Sequence, residues 1–325
     1  MESLDVLIVG GGPAGSTCAW RLRQHGIECA ILDREQFPRT KLCAGWITPE
    51  VVRDLQLEVQ HYPHSFMSFH GIHVHVRGFH FKMDSLQHSI RRYEFDDWLL
   101  KRSGAPVFQH YVKDIRKENG HYIIDGQYRC KYLVGAGGTR CPVFRTLFKD
   151  TGARPKELQV VTQEQEFPYP WKDEGCHLWF FDKGLPGYAW YVPKAKGHLN
   201  VGIGGMAHKL KRRGDDIKPH WDHFTRVLGR QALVDGCGFE PGGYSYYVRG
   251  DTDVGRLDNA WVIGDAAGLA TRDLCEGIGP AIQSGLRAAD AIALGREYTL
   301  TDVPRYSAGN RLARKLLEYA LIQRR

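Results

Sequence analysis

No Cys-x-x-Cys pair occurs among the eight cysteines, Cys18, Cys29, Cys43, Cys130, Cys141, Cys176, Cys237 and Cys275. Their scatter argues against a zinc site and for thiols kept reduced. No apolar run approaches the roughly 18 residues that span a bilayer. The opening Met1-Glu2-Ser3-Leu4-Asp5 is acidic and runs straight into an apolar strand, unlike a signal peptide. A cytoplasmic protein is therefore expected. No basic block is interleaved with aromatics as a nucleic-acid groove requires, so nucleic acid is not an expected partner. Internal repeats and low-complexity segments are missing too.

What is present is an ordinary globular balance of 42% hydrophobic and 25% charged residues over 325 positions. That length exceeds one compact core, so two domains or one large composite are expected. The net charge of +7 suits an anionic partner, whether a nucleotide, a membrane surface or an acidic substrate. A soluble surface with a mild excess of Lys and Arg explains it equally well.

Asp5-Val6-Leu7-Ile8-Val9 is a short strand ending in Gly10-Gly11-Gly12-Pro13-Ala14-Gly15. Ser16 to His25 has helical composition, Gly26 stops it, and Ile27 to Leu32 make a second strand ending at Asp33, with Arg34 after it. Gly10, Gly12 and Gly15 fit G-x-G-x-x-G in the context that pattern needs. The first allows the tight turn, the second lets a pyrophosphate approach the backbone, and the third lets helix and strand pack closely. The helix N-terminus, opened by Pro13 and Ala14, offers unpaired N–H groups to phosphate. Asp33 stands where an acid holds ribose hydroxyls. The pattern alone does not choose between NAD and FAD.

A second strand-to-turn junction lies at Ala260-Trp261-Val262-Ile263-Gly264-Asp265. Glu276-Gly277-Ile278-Gly279 follows, then a helix over Ile282 to Leu294. Asp265 there serves either as a polyol acceptor or as a cap on the following turn. The Gly264-Asp265 segment with Glu276-Gly277-Ile278 and Ser284-Gly285 resembles the second FAD fingerprint of p-hydroxybenzoate-hydroxylase-type flavoproteins. Three further segments resemble that superfamily's geranylgeranyl reductase-like branch. They are Phe37-Pro38-Arg39-Thr40-Lys41-Leu42-Cys43-Ala44-Gly45, then Arg92-Tyr93-Glu94-Phe95-Asp96 with Leu99, then Gly187-Tyr188-Ala189-Trp190-Tyr191-Val192-Pro193-Lys194 with Asn200-Val201-Gly202-Ile203-Gly204. The resemblance runs in order from Val6 to about Ala293.

It implies FAD as cofactor, with Asp265 on the ribityl chain and Gly277, Ile278 and Gly279 against the isoalloxazine. It also implies Arg92 reaching the cofactor, and Cys43, Ala44 and Gly45 near the flavin, where Cys43 gates the substrate or donates a proton. The plain reading of Cys43 is a small buried hydrophobe. Two positions depart from the pattern. Gly137 stands where the superfamily's Gly-Ala-Asp-Gly carries its Asp, and Ala44 replaces a glycine.

The fold class expected is α/β, a split Rossmann-like FAD-binding domain with an interleaved, mostly antiparallel β-sheet substrate domain. Residues 1–65, 89–154 and 250–325 are assigned to the first, and 66–88 and 155–249 to the second. Residues 66–83 alternate, with Ile72, Val74 and Val76 opposite His73, His75 and Arg77. Lys156 to Phe167, Cys176 to Phe181, Tyr188 to Val192 and Leu199 to Ile203 read as further strands. Seven histidines fall between His61 and His88 without a carboxylate or cysteine at ligand spacing, so a solvated strand face is expected and no metal. Trp190 and Tyr188 are the expected substrate-cavity residues, or else part of the sheet's core. Asn310 to Arg325 has leucines at helical spacing between cations, suiting either peripheral membrane contact or docking on its own domain.

The function expected is hydride transfer between flavin N5 and an apolar, prenyl or lipid-like substrate. The protein's part is orientation and exclusion of water. The electron donor stays open between NAD(P)H and a redox protein. A flavin monooxygenase acting on an aromatic or alkene is the alternative, and a non-catalytic electron carrier a third reading.

Overall fold

The computed structural model describes residues 1–152 and 154–323. Along the chain, β1 (Glu2–Val9) turns through the glycines into α1 (Pro13–Gln24), and β2 (Cys29–Asp33) follows. Pro13 opens α1 at a position where its missing N–H costs nothing. β3 (Trp46–Ile47), α2 (Pro49–Asp54), β4 (Phe66–Val76) and β5 (Phe79–Ile90) come next, then α3 (Arg92–Ser103). β6 (Val107–Gln109), β7 (Ile115–Glu118), β8 (His121–Ile124) and β9 (Tyr128–Gly135) precede a second run of strands. That run is β10 (Gln159–Pro168), β11 (Cys176–Phe180), β12 (Gly187–Lys194) and β13 (His198–Met206), followed by α4 (Ala207–Arg212) and α5 (Ile217–Arg230). β14 (Gly242–Tyr247), β15 (Arg256–Leu257), β16 (Ala260–Val262), α6 (Ile278–Leu294) and α7 (Arg311–Glu318) complete it.

Two compact units result. The first comprises Met1–Arg39, Phe95–Pro155 and Tyr246–Arg314; the second comprises Thr40–Glu94, Lys156–Ser245 and Lys315–Arg325. In the first, strand order is β15-β16-β9-β1-β2-β6, with β8 also paired to β9 and β7 paired to β8. β1 lies between β2 and β9, parallel to both. Val6 to Val9 and all of β2 are buried, as the central strands of a parallel sheet should be. α6 packs along α1, so the helices that follow the two glycine turns lie side by side.

The second unit is one sheet, ordered β14-β10-β13-β12-β11-β4-β5-β3. β10 with β13, β13 with β12, β12 with β11, β4 with β5 and β5 with β3 pair antiparallel, and β11 with β4 parallel. α5, whose first turn is capped by Asp216 accepting from Lys218 N at 2.9 Å, lies against β13 and β10. The side chains packing there include Trp179, Tyr191, Val201, Ile203, Trp221 and Phe224. Because side chains alternate along a strand, Tyr188 and Trp190 face the other way.

Four expectations need correction. Residues 40–65 and 89–94 belong with the substrate sheet, because β3 pairs with the end of β5: Trp46 with Ser89 and Ile47 with His88. Residues 246–249 join the first unit, where Val248 bridges Ala270. Residues 315–323 join the second, and Leu321 is buried there. The C-terminal helix leaves α-geometry after Glu318, and Arg324 and Arg325 lie outside the described residues.

The histidine strand face is also not simply solvated. His73 and His75 of β4, His80 of β5 and His177 of β11 stack, the closest ring centroids being 4.4 Å apart for His75 and His80. His75 stacks on Trp179 at 4.7 Å. Burial first, then its histidine neighbours, pull His75 down to about 4. Burial likewise takes His177 to about 4, with Asp173 opposing. Groups that resist protonation when folded are stable neutral above about pH 6.5 and lose that stability as pH falls toward 4. Thermal midpoints should therefore drop over that window, and His75→Gln should flatten the drop.

No helix among the described residues is long and apolar enough to cross a membrane.

Candidate active site

In the first unit the glycine turn is closed by its own backbone. A Cβ on Gly15 would fall inside the van der Waals shell of the Gly10 carbonyl oxygen and 3.1 Å from Ala136 Cβ. Asp33, at the end of β2, accepts from Gly11 N at 2.7 Å through Oδ2 and from Glu35 N at 2.9 Å through Oδ1. Each oxygen keeps a lone pair for a ribose hydroxyl. Arg34 is exposed and pairs with Glu35 at 3.1 Å.

Arg39 was not singled out by the sequence. Its Nη2 pairs with the fully buried Asp96 at 3.2 Å and lies 3.4 Å from where a Gly12 Cβ would stand. Its Nη1 is buried with no hydrogen-bond partner among the described residues. A buried guanidinium donor left unmade beside the turn fits an anionic group there, because such an orphan is costly otherwise.

The second junction converges on the same turn. Gly264 N donates to Ser284 Oγ of α6 at 2.9 Å, and a Cβ on Gly264 would lie 3.0 Å from that of Ala14. Asp265 Oδ1 faces Gly277, 3.4 Å from where its Cβ would stand. Gly279 N donates to Glu276 Oε1 at 2.6 Å, so Glu276 ties down the first turn of α6, which opens at the buried Ile278. At Gly137, a Cβ would come 3.1 Å from Cys141 Cα, so the glycine suits its crowded turn.

In the second unit, Lys194 holds the Cys43-Ala44-Gly45 loop. Its fully buried ammonium donates to the carbonyls of Ala44 and, at 2.9 Å, of Ile90. Gly45 has φ +62, and a Cβ there would sit 2.6 Å from Lys194 Nζ. Burial lowers the Lys194 pKa, opposed by Glu166, Cys43 and Glu164. Asn200 Nδ2 donates to the Cys43 carbonyl at 3.3 Å, and Gly45 N donates to Cys43 Sγ at 3.4 Å. Removing the cation strands two carbonyls, so Lys194→Met should cost about 2–4 kcal/mol of stability in urea titrations.

Asn200 also accepts from Trp190 Nε1 at 2.7 Å and hydrogen-bonds Glu164. Trp190 on β12, Gly202 on β13 and Glu164 on β10 are register partners, so all three share the face turned away from α5. Gly202 exists for this contact: a Cβ there would strike the indole and lie 2.7 Å from Glu164 Cβ. Glu164 is 2% exposed, and its Oε2 has no hydrogen-bond partner among the described residues. Burial pushes its pKa up to about 7, against the pull of Lys41, Asn200, Lys194 and Arg92. Arg92, buried at the start of α3, thus acts on Glu164. Tyr188 stands beside Trp190, ring centroids 5.9 Å apart.

This chain is similar to several known proteins. Residues 8–79 match the family model described as an NAD(P)-binding Rossmann-like domain. An uncharacterised protein of Methanosarcina barkeri is 30% identical over 315 residues, covering 90% of this chain and 75% of that protein. A menaquinone reductase of Mycobacterium tuberculosis is 26% identical over 97% of this chain and 83% of its own. Digeranylgeranylglycerophospholipid reductase 2 of Methanopyrus kandleri is 25% identical over 81% of this chain and 70% of its own. A crystal structure of a geranylgeranyl bacteriochlorophyll reductase-like protein from Thermoplasma acidophilum shares the fold. Its TM-score is 0.78 at 20% identity, covering 100% of this chain and 84% of that one.

The chain belongs to the geranylgeranyl reductase-like branch of the FAD-dependent oxidoreductases. A flavin-dependent brominase shares the fold as well, with a TM-score of 0.70 at 21% identity over 94% of this chain and 81% of that one. In this geranylgeranyl reductase-like protein the glycine turn, Asp33 and the orphaned Arg39 donor fit a dinucleotide phosphate chain and ribose. Arg39 stands within the quoted Pro-Arg segment, which was the available signal for it. Glu164 lies in no motif.

Proposed function

We propose that this protein reduces carbon–carbon double bonds in the isoprenoid chain of a lipid-like substrate, with Glu164 supplying the proton. The reading is carried by one observation: a carboxyl with a buried Oε2 that has no hydrogen-bond partner among the described residues, set beside Trp190 on the sheet face turned away from α5. Its support from relatives is that reductases of menaquinone and of a digeranylgeranyl lipid resemble this chain, and both of those molecules carry isoprenoid chains.

Bound FAD supplies the hydride. In the first unit Gly10, Gly12, Pro13, Ala14, Gly15, Asp33, Arg34 and Arg39 are assigned to its dinucleotide, and Gly264, Asp265, Gly277, Ile278 and Gly279 to its ribityl chain and ring. The family resemblance assigns Cys43, Ala44, Gly45 and Arg92 to the cofactor as well. Cys43 Sγ accepts from Gly45 N; the proton is assigned to Glu164 because its Oε2 is buried and has no hydrogen-bond partner among the described residues. Reduction adds one hydride and one proton across the double bond. Glu164 holds that proton at Oε2 up to about pH 7 because ionising there is opposed by burial. Trp190, fixed by Asn200, and Tyr188 wall the apolar chain and keep water from it.

The test is the chemically reduced holoprotein exposed to labelled dioxygen with geranylgeraniol present. A product without the label supports the reductase reading. Label in the product turns it into a monooxygenase.

A further inference from the structure

Strand β5 ends the sheet on one side over most of its length, since β3 covers only His88 and Ser89. Along this edge Phe79, Phe81 and Met83 share a face by alternation and are 74%, 51% and 44% exposed. Exposed large apolar side chains in a row mark an interaction surface. They are the open end of a longer row. Phe81 pairs with Val74, Val74 with Leu178, and Leu178 with Trp190, which is 6% exposed. Three inter-strand steps of roughly 4.8 Å each separate Phe81 from Trp190.

Charge around the tip selects the occupant. Arg77 in the turn and Lys82 on the opposite face are exposed, with Asp84 the one acid on β5. A second copy pairing edge to edge is opposed by Lys82 on the edge and by the extra residue of β5 between Asp84 and Gln87, opposite Phe69 and Gly71. Aromatics at a narrow tip flanked by cations match the headgroup layer of an anionic bilayer.

We propose that the β4–β5 hairpin docks on an anionic lipid surface, with Phe79, Phe81 and Met83 in the headgroup layer and Arg77 and Lys82 on phosphates. The row from Phe81 to Trp190 then gives a lipid chain an apolar path to Glu164; this second statement rests on the reductase reading, whereas the docking does not.

The test is flotation of the FAD-loaded protein with phosphatidylcholine vesicles, with and without phosphatidylglycerol. The protein should float with the anionic vesicles. Phe79→Ser with Phe81→Ser should lower the bound fraction by about ten-fold or more while keeping the flavin spectrum, as losing two buried aromatics requires. Arg77→Gln with Lys82→Gln should abolish the preference for phosphatidylglycerol. Wild-type protein that stays unbound, or a double-serine variant that floats equally well, overturns the proposal. So does a wild-type dimer that the serine variant dissociates without any vesicle binding. Protein that floats but does not reduce detergent-dispersed geranylgeraniol refutes the reductase reading alone. Protein that reduces it but does not float refutes the docking alone.

Discussion

Gly15→Val should leave the purified protein colourless. The added Cβ falls on the Gly10 carbonyl oxygen, which belongs to the turn itself and has no flexible side chain to yield. Relief requires α1 to move off β1, away from the position in which its first N–H groups meet the phosphates. Overpacking of this kind costs about 1–3 kcal/mol. Expressed in the bound state alone, that weakens FAD by roughly five- to 150-fold. Equilibrium titration of the apoprotein reads it directly. Gly238→Val is the matched control, because a Cβ there meets nothing within 4 Å. That variant should stay yellow. Arg39→Gln should weaken FAD and, because it also takes the guanidinium from the buried Asp96, should lower the melting temperature of the apoprotein as well.

Glu164→Gln should lower turnover by about 10²–10⁴-fold, the usual worth of a positioned general acid. The amide keeps the shape and the bond to Asn200 but carries no transferable proton. Wild-type turnover should fall as pH rises through about 7, where Glu164 ionises, and the variant should lack that limb. Stability has the opposite logic to a salt-bridged carboxylate. The folded pKa is raised above its ordinary 4.5, so the stability that Glu164 contributes is full below 4.5 and is lost as pH rises toward 7. Glu164→Gln should remove that slope and be at least as stable as wild type above pH 7. A pH-independent loss of turnover would assign Glu164 a packing role instead.

The sequence made the first fingerprint legible because its requirements are local. A strand, three spaced glycines, a helix and Asp33 all fall within a short stretch, and β1, α1 and β2 appear there. The second junction was legible only through its resemblance, since an Asp that caps the following turn and an Asp that accepts from a polyol look alike in sequence. Residues 40–65 were misplaced because β3 is two residues long and shows no periodicity, while its anchor, Lys194, lies 150 positions beyond Ala44. Glu164 sits in a strand reading Val-Val-Thr-Gln-Glu-Gln-Glu-Phe, where alternation does not say which face is inward. Only the register of β10 with β13 and of β13 with β12 brings it beside Trp190. The histidines were misjudged for the same reason: His177 reaches them through the β11–β4 pairing, about a hundred residues away.

The most direct test of the account is an anaerobic single turnover. Holoprotein reduced with dithionite is mixed with geranylgeraniol, and the flavin spectrum and the product mass are followed together. The account predicts that oxidised flavin returns without oxygen, that the alcohol gains two hydrogens, and that Glu164→Gln slows the return. Flavin that stays reduced until oxygen is admitted, with the alcohol unchanged or oxygenated, would contradict it.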